Sequence, residues 1–380
     1  MKMWRSVVSV LIGAALTTAL VEAQDTEPTE AAFIFSLPEP TGPFAVGVTS
    51  RHWIDQAREE SITVNDPDDQ REVLVDFWYP STVENGAVAA PYFPYPEAQV
   101  NGLNEILRSY NYSPLLQVQD FAGQASHSYQ NPAVAPQEAT YPVLIFSHGW
   151  GGFPHVYTSI LQEVASHGYV VAAINHPYVA STTTFPDGRV VLGRFDLDPD
   201  MLAAIMSDDH QFVLNQLETL NANDPEDLFT GRLNLQQVGV FGHSLGGLAA
   251  TSTLLADNRF GAGMSIDGGL ALSVRNEGID QPFMYMAARG GELGAFAFRN
   301  FRGSVTTIRV ATFEHNNFTD GALFSVPFLL VRPTEGDRSP VVTDAYILAF
   351  FDHTLRGEPA PLLEGASPDF PEVSIVTIRP

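Results

Sequence analysis

Along this chain apolar residues fall into short unbroken runs closed by glycine or proline, and into longer stretches where they recur at every third or fourth position. Val143 to Phe146 and Tyr169 to Ile174 are runs of the first kind, as expected of parallel strands covered on both faces. Between them Val156, Ile160 and Val164 keep helical spacing over His155 to His167, so strand, helix and strand predict a βαβ unit. Further strands are predicted at Arg71–Pro80, at Val238–Phe241, at Phe260–Asp267, at Pro282–Ala287 and at Ser304–Val310, with an edge strand at Val373–Ile378. Helices are predicted at Asp198–Leu220, where Leu202, Ile205, Val213 and Leu217 share a face, at Leu248–Leu255 and at Tyr346–Leu355. The pattern predicts the α/β class, with a mostly parallel central sheet, helices on both faces and antiparallel strands at its start.

One stretch breaks the pattern. From about Ser81 to Thr140 the sequence offers Tyr92-Phe-Pro-Tyr-Pro96, a helix-like Val100–Leu107 and a Gln-, Ser- and Pro-rich connector. It is read as an insert without strands, longer than most loops, of the kind that builds a lid or pocket wall. Its aromatics Tyr92, Phe93, Tyr95, Tyr110 and Tyr112 have two readings: they line a substrate pocket or touch a lipid surface transiently, or they pack the insert onto the body.

The first 23 residues stand apart. Lys2 and Arg5 precede an uncharged run from Val7 to Val21 and a small-residue Val21-Glu-Ala23 site, the pattern of a secretory leader. The run is shorter than the roughly 20 residues that span a bilayer. Residues 24–380 are expected to form one catalytic domain that is exported and extracellular. With no cysteine, its stability must come from its core rather than from disulfides. A net charge of −25, with Lys2 as the sole lysine, argues against nucleic acid or an anionic membrane surface as partner. Asn111-Tyr-Ser113 and Asn317-Phe-Thr319 are the two N-glycosylation sequons.

The chemistry gathers at Gly242-His243-Ser244-Leu245-Gly246, between a buried strand and a small-residue helix. A serine hydroxyl becomes a nucleophile when a sharp turn holds it clear of the backbone and a base takes its proton. In such an elbow an acid and then a histidine follow the serine, each on a loop at a strand's carboxyl end. Of ten histidines only His315 and His353 come later, and His315, just past the strand ending at Val310, is the expected base. His353 sits within the C-terminal helix. Asp267, closing the strand after the elbow helix, is preferred as the orienting acid over Glu292, one strand later; Asp320 is a poor orienter that would cap the segment after it. The turn His148-Gly-Trp-Gly-Gly152 supplies an oxyanion donor from Trp150 N–H, and Leu245 N–H supplies the second. His148 itself is read as a structural hydrogen-bonder.

These residues sit within blocks that resemble the plasma-type platelet-activating factor acetylhydrolase family of α/β-hydrolases. The blocks are Gly42-Pro-Phe-Ala-Val-Gly47, Phe77-Trp-Tyr-Pro80, Phe146-Ser-His-Gly-Trp150, Ala165–His176, Val240–Gly247, Arg259-Phe260, Ile266-Asp267, Thr307-Ile-Arg309, His315 and Phe318-Thr-Asp320. The resemblance implies an α/β-hydrolase fold, with nucleophile, acid and base on Ser244, Asp267 and His315 and oxyanion donors on Trp150 and Leu245. Two departures stand out: the insert lacks the apolar docking helices of the animal enzymes, and Gly268-Gly269 replaces a bulkier pair.

The expectation is therefore a secreted serine esterase, without metal or other cofactor, acting on carboxylic esters with short acyl groups in a small-molecule or lipid substrate. A polyester or cutinase-type hydrolase on the same scaffold is the first alternative. A binding protein on a catalytically dead fold is the second.

Overall fold

The computed structural model describes residues 35–63, 69–84, 86–113, 115–324, 331–332 and 338–378, so the leader expected over residues 1–23 lies outside the described residues. In chain order the strands are β1 (Ala45–Glu59), β2 (Gln70–Ser81), β3 (Ala89–Pro91), β4 (Ala125–Gln130), β5 (Tyr141–Ser147), β6 (Val170–Asn175), β7 (Thr182–Thr184), β8 (Val190–Leu192), β9 (Leu233–His243), β10 (Ala262–Ile266), β11 (Phe283–Ala287), β12 (Val305–Val310) and β13 (Val373–Ile378). Eleven of them make one sheet in the order β13-β12-β11-β10-β9-β5-β6-β2-β1-β4-β3, while β7 and β8 form a separate hairpin. The run from β6 to β12 is parallel throughout. β2 and β13 close it on either side by antiparallel pairing.

Helices cover both faces, as the unbroken apolar runs require. The α-helices are α1 (Pro96–Ser109), α2 (Val118–Phe121), α3 (Thr158–Ser166), α4 (Pro199–Ala222), α5 (Leu245–Ala256), α6 (Leu272–Glu277) and α7 (Arg338–Phe351). Alternate residues of β5 point to opposite sides: Leu144 and Phe146 pack with Ile160 and Val164 of α3 and Phe350 of α7. Val143 and Ile145 pack with Val213 and Leu217 of α4 and Leu254 of α5. Each such buried side chain contributes about 1.5–3 kcal/mol by leaving water, so both faces must be covered.

The insert corrects the sequence reading in one respect. Residues 81–140 are not free of strands: β3 and β4 lie there, antiparallel to each other, and β4 extends the main sheet by pairing parallel to β1. The insert's aromatics divide. Tyr92 and Phe93 are buried and stacked on each other at 4.4 Å, and Phe93 stacks on Phe121 at 4.9 Å, which is the packing role. Tyr95 and Tyr110 stay exposed.

Because β5, β9, β10 and β12 run parallel, their carboxyl ends share one rim of the sheet. The loops leaving that rim carry His148–Gly152, Ser244, Asp267 and His315.

Candidate active site

β9 ends at His243, α5 begins at Leu245, and Ser244 alone makes the turn with φ 56° and ψ −119°. A positive φ at a residue with a Cβ is strained, and the strain persists because the surroundings leave no room to relax. A methyl group on Gly246 would lie 2.1 Å from the Ser147 carbonyl oxygen, so β5 and the elbow touch backbone to backbone. The same crowding explains Gly268, where a side chain would come within 2.4 Å of the Ser244 carbonyl oxygen. Ser244 is half-buried, and its hydroxyl is claimed by no hydrogen bond among the described residues.

Asp267 follows β10 directly, also with positive φ, at 46°. Its Oδ2 accepts a 2.6 Å hydrogen bond from His315 Nδ1, and its Oδ1 accepts one of 2.8 Å from the Ala288 amide. Burial alone would raise this carboxyl, but the His315 hydrogen bond and charge, with the Ala288 amide and His243, hold it below the usual carboxylate range. The pairing places the His315 proton on Nδ1 and leaves Nε2 as the basic nitrogen. His315 opens a short 3₁₀ turn (His315–Phe318) fixed by a capping box, in which Asn317 Oδ1 accepts the Glu314 amide at 3.0 Å.

Asp267 and His315 therefore pair across two loops, and the loop of Ser244 is tied to both. The Ser244 amide donates to the carbonyl of Ile266, the residue before Asp267, at 2.8 Å. The ring of His243, its chain neighbour, lies 4.5 Å from the His315 ring. No direct Ser244–His315 hydrogen bond is present among the described residues; in an unliganded site such bonds are often long and tighten when substrate binds.

The glycine turn passes over the serine, where a methyl on Gly149 would come within 3.1 Å of Ser244 Cβ. Among the described residues no acceptor takes the backbone N–H of Trp150 or of Leu245, so both are free to meet an anion. The Trp150 indole donates to the Arg194 carbonyl at 3.0 Å, which holds the turn against the loop after β8.

The remaining candidates lie elsewhere. His148 is fully buried, donates from Nδ1 to the Gly149 carbonyl at 2.8 Å and is pushed down to about 3 by burial, so it stays neutral in a structural role. His353 lies exposed beyond α7 and donates to the Glu358 carbonyl. Glu292 is exposed and paired with Arg309 rather than with the imidazole. Asp320 does act as a cap, but for α3 and not for its own segment: the Ser159 amide and hydroxyl and the Tyr92 hydroxyl all donate to it. Of the sequons, Asn317 is buried and bonded to the Arg332 carbonyl, while Asn111 is exposed after α1. Among the described residues no three His, Asp or Glu side chains are arranged to hold a metal ion.

Two sets of residues were not anticipated from the sequence. Tyr157 and His243 contact each other beside the nucleophile at 2.9 Å. Behind the elbow, Ser147 Oγ meets His176 Nε2 at 2.7 Å, and His176 Nδ1 donates at 2.8 Å to Asp209, which Arg71 clamps at 2.6 Å. This second serine–histidine–aspartate series is wholly buried, so it braces the strand end and meets no substrate. Ser147, His176 and His243 fall in blocks that the sequence marks, and Arg71 opens a predicted strand, but nothing near them gives these contacts; Tyr157 and Asp209 carried no signal.

The family model described as alpha/beta hydrolase fold matches residues 142–318, the stretch from β5 through the His315 turn. The solved ferulic acid esterase from Streptomyces cinnamoneus superimposes with a TM-score of 0.75 at 27% identity, covering 90% of this chain and 98% of that one. The chain has the α/β-hydrolase fold. The chain also matches, over residues 32–190, the model described as platelet-activating factor acetylhydrolase, isoform II. It is 28% identical over 265 residues to a probable 1-alkyl-2-acetylglycerophosphocholine esterase from Arthroderma benhamiae, 61% of this chain and 65% of that protein. It is 26% identical over 259 residues to the platelet-activating factor acetylhydrolase of Cavia porcellus, 61% of this chain and 55% of that protein. The match thus spans less than two thirds of either relative's length.

Proposed function

We propose that this chain is a serine esterase that cleaves carboxylic esters with short acyl groups. The observation that carries the reading is the Asp267–His315 pair, 2.6 Å apart on the rim where the elbow presents Ser244. In the proposed reaction His315 Nε2 takes the Ser244 proton as Oγ attacks the ester carbonyl, and the Trp150 and Leu245 amides receive the oxyanion. Collapse expels the alcohol, which takes the proton back from His315, and water attacks the acyl-enzyme by the same route. Asp267 keeps the imidazole in the required tautomer and balances the imidazolium.

The relatives named for 1-alkyl-2-acetylglycerophosphocholine hydrolysis favour a small or lipid ester with an acetyl-sized acyl group. A second reading, an ester with an aromatic or polymeric partner, is favoured by the exposed Phe195 ring beside Trp150, 6.1 Å between ring centroids, and by the ferulic acid esterase similarity. Export through cleavage after Ala23 completes the proposal and is checked by the N-terminal sequence of the released protein. Among the described residues no helix is long and apolar enough to cross a membrane.

Fluorophosphonate labelling of the wild type, lost in Ser244→Ala with the fold unchanged, is the expected result. Undiminished ester turnover by Ser244→Ala would sink the reading. A panel of p-nitrophenyl esters from acetate to palmitate, an acetylated ether phospholipid and methyl ferulate separates the two substrate classes.

A further inference from the structure

Three hydrogen bonds run in series through the floor of the site. The Gly149 amide donates to Tyr157 Oη at 3.0 Å, Tyr157 Oη lies 2.9 Å from His243 Nδ1, and His243 Nε2 lies 2.9 Å from the His315 carbonyl oxygen. Tyr157 and His243 are both 2% exposed, so no water competes for these groups. The series admits one polarity. A carbonyl oxygen only accepts, so His243 must carry its proton on Nε2 and leave Nδ1 as a lone pair. Tyr157 must then donate to Nδ1, and its own lone pair is left for the Gly149 N–H. Every donor and acceptor is matched, as buried polar groups require.

The two ends of the series are the two loops that must be held apart at a fixed distance. Gly149 immediately precedes Trp150, the oxyanion donor, and the other end is the main-chain carbonyl of the base itself. His243, in the middle, is the residue before the nucleophile. We propose that His243 and Tyr157 are positioning residues that lock the oxyanion turn and the His315 loop to the elbow in one register. Burial, and next the neighbouring His315, push His243 down to about 3, so it stays neutral while His315 takes up its proton during turnover. The inference rests on the esterase reading and says which residues outside the triad set its geometry.

The test compares His243→Phe, His243→Gln, Tyr157→Phe and the Tyr157→Phe/His243→Phe double variant in the full chain. Active sites are counted by fluorophosphonate labelling, so that misfolded protein drops out of the rate. For p-nitrophenyl acetate, the Phe variants should lose about 10- to 100-fold in kcat, the scale expected when reacting groups shift by about 1 Å. KM should stay within about threefold, since no substrate contact is removed. The double variant should be no worse than the poorer single, because both break one series. His243→Gln, whose amide can still donate to the His315 carbonyl, should recover about tenfold over His243→Phe. Should His243→Phe fail to fold, Tyr157→Phe decides alone.

Tyr157→Phe or His243→Phe with kcat per labelled site within about twofold of wild type would overturn the proposal, as would losses that multiply in the double variant. A wild type that takes no label and turns over no ester overturns the esterase reading beneath it; normal wild-type turnover with unaffected variants overturns only the relay.

Discussion

At the scale of single residues, Asp267 acts on the proposed reaction by fixing which His315 nitrogen carries the proton and by balancing the imidazolium that forms. An ionised carboxylate only accepts, so Nδ1 must be the donor and Nε2 the base. In Asp267→Asn the side-chain amide can donate to Nδ1, which turns the tautomer over and points an N–H at the serine. The expected loss in kcat is about 10³- to 10⁴-fold, with the fold retained because the replacement is isosteric. Steady-state kinetics on p-nitrophenyl acetate, alongside near-UV circular dichroism of the folded variant, checks it. A loss below about tenfold would remove Asp267 from the orienting role and return attention to Glu292, whose present partner is Arg309. The serine was legible in the sequence because its elbow is a local feature: Gly242, Ser244 and Gly246 lie within five residues and answer to a contact with one neighbouring strand. Tyr157 was not, because its partner His243 is 86 positions away and nothing in the sequence near either residue encodes their meeting.

At the scale of elements, α3 is anchored at its amino end by Asp320, which reaches in from the loop after the His315 turn. The partial positive charge at a helix start and the Ser159 and Tyr92 hydrogen bonds favour the carboxylate. Burial opposes them and wins, pushing the Asp320 carboxyl up to about 6. The folded-state value then lies above the unfolded value of about 4, so folding favours the protonated form. That stabilisation is fully present below the unfolded value and is lost as pH rises through the folded one. Between about pH 4 and pH 7 the wild type should lose roughly 2 kcal/mol relative to Asp320→Asn, whose side chain does not titrate. Urea midpoints of both proteins at the two pH values measure the difference, and a gap that stays constant with pH would refute it. Elements were legible where burial selects apolar residues, as in β5, whose seven residues are all buried. β4 escaped because its two buried positions are Ser126 and Ser128. Alternation of burial is present there without alternation of hydropathy. β3, at three residues, is too short to show any period.

At the scale of the whole molecule, charge is the feature that no single contact explains. Asp and Glu number 44 against 19 Lys and Arg, so even if every cation were paired, 25 carboxylates would remain without one. Folding draws those carboxylates together, and their mutual repulsion opposes the compact state. Added salt should relieve it, because the screening length falls from about 30 Å at 0.01 M to about 8 Å at 0.15 M. Salt also weakens the exposed ion pairs, such as Arg189 with Glu72 and Arg259 with Glu218. Those are each worth only about 0–1 kcal/mol, and the buried Arg71–Asp209 pair is shielded from ions by its depth. The balance therefore favours stabilisation, and the melting temperature should rise between about 0.01 M and about 0.15 M sodium chloride. Chloride is the appropriate anion, since sulfate would strengthen apolar burial on its own account and give a rise of different origin. A melting temperature that falls over this range would mean that attraction between surface pairs outweighs the repulsion of the surplus carboxylates. The acidity would then have to be explained by how those pairs are arranged and not by their net sum.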